Sequence, residues 1–127
     1  MKIAALEPLG IPDADLRSLI LDAVGDKDVE LLTYPDRKED ETSLIERSAD
    51  AEIVVVSNIA YPASVMEKNP NLKYVCVAFT GYDHVDMNYC REQGIQVSNC
   101  AGYSTVAVAD LVFGLLLDVY RNISILN

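Results

Sequence analysis

Apolar residues fall in short runs of three to six, separated by longer mixed segments. The first run, residues 3–6, ends at Glu7-Pro8-Leu9-Gly10. Residues 13–24 follow, with Leu16, Leu19, Ile20 and Val24 spaced as one face of a helix. Residues 29–32 form the second run, closed by Tyr34-Pro35. The charged stretch 41–49 keeps Leu44 and Ile45 as its apolar side. Residues 53–56 are β-branched throughout, as in strands buried on both faces. A short helix is predicted from Pro62, which suits a first helical position, to Asn69-Pro70. The fourth run is 74–79. Residues 85–93 read as a helix, with Gly94 placed just past its end, and 95–97 is the fifth run.

Five strands alternating with helices predict an α/β fold with a parallel sheet covered on both faces. In such sheets ligands sit beyond the carboxyl ends of the strands. The loops expected to line a site are therefore 7–10, 57–61, 79–83 and 98–104. The segment 106–120 is different: it is apolar except at Asp110, Gly114 and Asp118. A helix apolar nearly all round needs cover on several sides, and a sheet supplies one. The segment is too short and too acidic to be a good membrane span. A missing domain or a partner subunit is therefore expected to pack on it. The tail at 123–127 shows no cap in the sequence.

The chain has 127 residues, the length of one domain, and half of them are hydrophobic. Such a chain buries roughly two thirds of its unfolded surface. Its formal charge of −10 gives it no general attraction to nucleic acid or anionic lipid. Cys76, Cys90 and Cys100 are odd in number and lack close pairing. With His84 the only histidine, they suggest reduced thiols in a cytoplasmic protein and no metal site. The apolar stretch at the N-terminus is too short for a signal peptide.

Chemistry-bearing residues are sparse. Phe79-Thr80-Gly81-Tyr82-Asp83 leaves a strand and enters a helix. Gly81 permits a positive φ or close backbone approach, and backbone N–H groups in such a turn can hold a carboxylate or phosphate. The alternative is an ordinary turn glycine followed by Asp83 as helix cap. Ser57 and Asn58 can donate to a ligand or close a turn. Glu7 is either a site acid or a solvated or capping residue, and His84 reads as a surface residue. Tyr82 and Tyr103 are core or rim aromatics. There is no G-x-G-x-x-G, no Walker lysine loop and no phospho-acceptor aspartate after the third strand. No nucleophile stands beside a base. Residues alone thus give an α/β domain with an anion-suited mouth and no complete catalytic set.

The stretch 71–110 adds to this. Asn-Leu-Lys-Tyr-Val-Cys-Val-Ala-Phe-Thr-Gly-Tyr-Asp-His-Val-Asp, then Gly94-Ile-Gln-Val-Ser-Asn-Cys-Ala-Gly-Tyr-Ser-Thr-Val-Ala-Val-Ala-Asp110, resembles the D-isomer-specific 2-hydroxyacid dehydrogenases. The resemblance is close over the last sixty residues and loose elsewhere. It implies a flavodoxin-like substrate-binding domain at 1–103 and an inter-domain helix at 104–127, leading to an absent nucleotide-binding domain. It implies a parent enzyme, a homodimer, that reduces a small 2-oxo acid of the hydroxypyruvate, glyoxylate or pyruvate class with NAD(P)H. By position, Thr80 and Gly81 would offer N–H groups to the substrate carboxylate, and Phe79, Ser57 and Asn58 would line its pocket. Val108 would face the nicotinamide of NAD or NADP. The family's catalytic arginine, carboxylate and histidine would lie beyond residue 127, so the isolated chain is expected to be inactive.

Four positions depart from the family pattern: Thr80 with Phe79 before it, Asn58, Cys100-Ala101, and Asp110 in place of glutamate. Asn58 stands near where relatives acting on phosphorylated substrates place basic residues, which disfavours such a substrate. The competing readings are a stand-alone flavodoxin-like module, which binds an acidic metabolite or pairs through its last helix, and a corepressor that keeps the fold for sensing.

Overall fold

The computed structural model describes residues 1–25 and 28–125. Five strands alternate with helices: β1 (Lys2–Ala5), α1 (Asp13–Val24), β2 (Glu30–Thr33), α2 (Glu41–Ser48), β3 (Ile53–Val56), α3 (Ala63–Met66), β4 (Tyr74–Val77), α4 (Met87–Gln93), β5 (Gln96–Asn99) and α5 (Thr105–Arg121). All pairings are parallel, in the order β2-β1-β3-β4-β5. This is the doubly wound, flavodoxin-like order. The chain moves one way from β1 to β2 and the other way from β3 onward. The direction reverses between β1 and β3, where such sheets open a crevice at their carboxyl edge.

Strand alternation divides the core in two. Ile3, Ala5, Leu31 and Val55 face α1 and pack with Leu16, Ile20 and Val24. Ala4, Leu6, Val54, Val56, Val75 and Val77 face the other way, against Leu44, Tyr61, Val65, Met66, Val85 and Cys90. Burying a side chain of this size contributes about 1.5–3 kcal/mol. Helix α1 is also pinned by Arg17, which donates to the Leu31 carbonyl at 3.1 Å and to Thr33 Oγ1 at 2.8 Å.

Several local expectations shift. Leu19 points to solvent, so the buried face of α1 is narrower than the spacing suggests. Pro62 precedes α3 as its cap rather than occupying a first turn, and α3 is four residues long. Helix α4 begins at Met87, because Val85 is buried in a parallel bridge with Tyr61. Its cap is Asp86, not Asp83: the Asp86 carboxylate accepts the N–H groups of Asn88 at 3.1 Å and Tyr89 at 3.0 Å. Gly94 ends the helix in the left-handed region at φ 70°, where a side chain would be strained.

Helix α5 spans its predicted range and buries none of its residues. Even the one face assigned to the sheet is open: Leu111, Val112, Phe113, Leu115 and Leu117 are all exposed. Its end is capped after all. Asn122 adopts φ 50°, its N–H reaches the Asp118 carbonyl, and Ser124 donates twice to the Asp118 carboxylate, at 2.8 and 2.9 Å. Residues 126 and 127 lie outside the described residues. No described helix is long and apolar enough to cross a membrane.

Candidate active-site edge

The loops following the strands gather at the carboxyl edge of the sheet. Ser57 and Asn58 follow β3, and Phe79, Thr80 and Gly81 follow β4, so the pairing of Val56 with Val77 places the two loops side by side. Neighbouring strands lie ~4.8 Å apart. Val108 stands on the first turns of α5, 55% exposed.

The turn after β4 is held from β5. The Cys100 N–H donates to the Phe79 carbonyl at 2.9 Å, and Asn99 Nδ2 donates to the Thr80 carbonyl at 2.7 Å. Both carbonyls are thereby turned toward β5. The N–H groups of Thr80 and Gly81 have no acceptor among the described residues, and both residues are exposed. Gly81 does not use a positive φ, contrary to one of its expected roles. A Cβ built on it meets no atom within 4 Å. The described chain thus does not itself require glycine here. Phe79 flanks the turn, 40% exposed.

The loop after β3 is different: its N–H groups are taken. Glu7, which follows β1, is 3% exposed, so of its expected roles the solvated one is ruled out and the capping one is seen. Its Oε1 accepts the backbone N–H of Ser57 at 2.7 Å, Asn58 at 3.0 Å and Ile59 at 3.2 Å. Its Oε2 accepts Arg37 Nη1 at 2.8 Å. A buried carboxylate is tolerated when its lone pairs are met in this way. The reversal point between β1 and β3 is therefore filled by the protein's own anion, and the neighbouring turn is left open.

Arg37 was missed as a site residue. It lies in the loop after β2, which the carboxyl-edge rule includes as much as the other four. Besides Glu7, it donates through Nη1 to Asn58 Oδ1 and through Nε to Glu39 Oε1 at 2.6 Å. Arg47 fixes this loop from α2. It is 8% exposed, donates to the carbonyls of Leu6 at 2.9 Å and Asp36 at 2.7 Å, and pairs with the Asp36 carboxylate at 2.6 Å. Its guanidinium stacks 4.4 Å from the centre of the Tyr34 ring. A cleft of about 490 Å³ opens on the β2 side of Glu7, lined by Leu9, Ile11, Leu16, Thr33 and Tyr34 among others.

His84 is not the surface residue it was expected to be. It is half-buried, its carbonyl accepts the Tyr61 N–H at 2.8 Å, and its Nε2 is shielded from solvent without a partner. Tyr82 and Tyr103 are exposed, and Tyr82 borders a smaller cleft with Met87, Val97, Ser98 and Asn99. Burial raises the thiols of Cys76 and Cys90 above the ordinary range, so neither is an activated nucleophile.

The doubly wound order defines a class of domain in which ligands sit beyond the carboxyl ends of the strands, the edge that carries the Thr80–Gly81 turn. The family is then given by comparison. Residues 6–120 match the model of the D-isomer specific 2-hydroxyacid dehydrogenase catalytic domain, and the chain belongs to that family. It is 36% identical over 125 residues to a hydroxypyruvate reductase of Blautia hydrogenotrophica, covering 97% of this chain and 37% of that protein. An acyclic imino acid reductase, solved with NADPH and D-Arg, superposes with a TM-score of 0.78 at 32% identity, over 97% of this chain and 38% of that one. An NAD-dependent formate dehydrogenase of Staphylococcus aureus, solved with NAD, gives 0.75 at 26% identity, over 96% and 39%. The chain thus spans well under half the length of these relatives.

Proposed function

We propose that this chain is the substrate-binding part of an oxidoreductase that reduces a small 2-oxo acid, of the hydroxypyruvate, glyoxylate or pyruvate class, to the D-2-hydroxy acid with NADH or NADPH. The observation that carries the reading is the pair of N–H groups at Thr80 and Gly81, which have no acceptor among the described residues. These would hold the substrate carboxylate by two charge-assisted bonds, fixing orientation as well as affinity. Phe79, Ser57 and Asn58 would form the wall around the rest of the molecule.

The dinucleotide would supply a hydride when bound. This chain fits it at one place: the exposed Val108 offers an apolar surface suited to a nicotinamide ring. No glycine fingerprint for the phosphates is present, so the rest of the cofactor falls to residues outside 1–127. The proton would come from the family's acid–base histidine, which the resemblance places outside residues 1–127. Residues 1–103 form the substrate domain in this reading, and 104–127 lead toward a nucleotide-binding domain whose surface covers the bare side chains of α5. The parent is a homodimer of the cytoplasm, a compartment consistent with its free thiols.

The test is an assay of the whole protein that carries this chain, with NADH and NADPH against glyoxylate, pyruvate and hydroxypyruvate. Oxidation of the cofactor with D-configured product is expected, and none with residues 1–127 alone. No turnover of any oxo acid with either cofactor overturns the reading.

A further inference from the structure

We propose that Glu7 and Arg37 are positioning residues that set Asn58 as a hydrogen-bond donor to an oxygen on the carbon beyond the keto group, so that the site selects a 3-hydroxylated oxo acid over one ending in a methyl group. The inference rests on the oxo-acid reading above and refines its substrate.

The Asn58 side chain has one acceptor end and one donor end. A guanidinium can only donate, so the end that faces Arg37 Nη1 is Oδ1. The amide nitrogen is thereby turned away from Arg37, and among the described residues it has no acceptor, on a side chain exposed at the sheet edge. The orientation is fixed from behind. The same Nη1 is held by Glu7 Oε2, and Glu7 Oε1 simultaneously grips the backbone N–H groups of Ser57, Asn58 and Ile59. Backbone and side chain of Asn58 are thus tied to one buried carboxylate. The donor this leaves stands on the loop after β3, one strand over from the Thr80–Gly81 turn after β4, and neighbouring strands are ~4.8 Å apart.

Charge decides between a neutral and an anionic group at that end. Arg37 is already matched by Glu7 and Glu39, so the cluster has one cation against two carboxylates. It has no positive charge to spare for a phosphate. A hydroxyl accepts the Asn58 hydrogen without that repulsion, and a methyl would leave the donor unmet. A site built to bond a hydroxyl discriminates strongly against the analogue that lacks it.

The experiment compares kcat/KM for hydroxypyruvate, pyruvate and phosphohydroxypyruvate in the whole protein and in its Asn58→Leu, Arg37→Met and Glu7→Gln variants. The wild type is expected to favour hydroxypyruvate over pyruvate at least tenfold, and to use the phosphorylated acid worst. Asn58→Leu and Arg37→Met should bring the hydroxypyruvate-to-pyruvate ratio to within about threefold, mainly through KM for hydroxypyruvate. Arg37 is half-exposed, so its variant tests the idea even if Glu7→Gln fails to fold. A wild-type ratio near one overturns the inference but leaves the oxo-acid reading standing. So does a ratio unmoved in folded variants, or an equal loss on both substrates, which a merely structural role would give. No turnover of any oxo acid overturns both.

Discussion

The amide of Asn99 donates to the carbonyl of Thr80 at 2.7 Å, so the last residue of β5 sets the direction of the turn that follows β4. With the Phe79 and Thr80 carbonyls turned to β5, the N–H groups of Thr80 and Gly81 point away from it, toward the side proposed for the substrate. A single exposed hydrogen bond contributes about 1 kcal/mol or less to stability, and its value here is orientation. In the whole protein, Asn99→Ala should raise KM for the oxo acid about fivefold, with kcat less affected. Steady-state kinetics beside a thermal melt would check this, the melt moving by only a few degrees.

Gly81→Val separates fold from binding. The position has an ordinary φ and no atom within 4 Å of a new Cβ, so the variant should fold and melt like the parent. Its side chain would fill the space over the turn and raise KM for the oxo acid at least tenfold. Near-normal kinetics would remove the Thr80–Gly81 turn from the site.

The 127-residue chain by itself should self-associate through α5. Phe113 is 64% exposed, and Leu111, Leu115 and Leu117 are bare beside it. Contiguous apolar surface of this kind seeks cover. Sedimentation velocity over a hundredfold range of concentration should show a rising average mass. A variant carrying Leu111→Lys and Leu115→Lys should stay monomeric.

Tyr61 gives a pH dependence. Burial pushes its phenol up to about 12, from an ordinary value near 10. Below pH 10 the phenol is neutral in both folded and unfolded chains, and this contribution is fully present. Between 10 and 12 the unfolded chain ionises while the folded one resists, so about 2 kcal/mol of stability is lost. Denaturant titrations from pH 9 to 12 should show a steeper alkaline decline in the parent than in Tyr61→Phe.

Asp86→Ala removes the cap of α4 and leaves the N–H groups of Asn88 and Tyr89 unmet. The expected cost is about 1 kcal/mol, measured by urea unfolding. Asp83→Ala, lacking that role, should be nearly neutral.

What could be read from the sequence followed periodicity. The bounds of α1 match because Leu16, Ile20 and Val24 repeat at helical spacing up to Gly25. Strand β3 matches because it is central and apolar on both faces. Strand β5 reaches past its apolar run to Ser98 and Asn99, since an edge strand is only half covered and tolerates polar residues. Val85 was misread as helical because burial in a bridge and burial on a helix look alike in one dimension. The glycine after β4 marked a turn but left its role open, and it was the resemblance that singled out Thr80 and Gly81. The Glu7–Arg37 pair was not legible: the residues are thirty positions apart and meet only because β1 and β2 are neighbours in the sheet.

The independence of α5 also bears on how the chain is made. No α5 residue is buried in the core, so the five-stranded unit needs nothing from beyond residue 104 to complete its packing. During synthesis from the N-terminus it can close while α5 is still in the ribosomal tunnel. The helix then emerges beside a core that is already closed. A pause in translation once residues 1–104 have cleared the tunnel would give that unit time to close before the apolar side chains of α5 emerge.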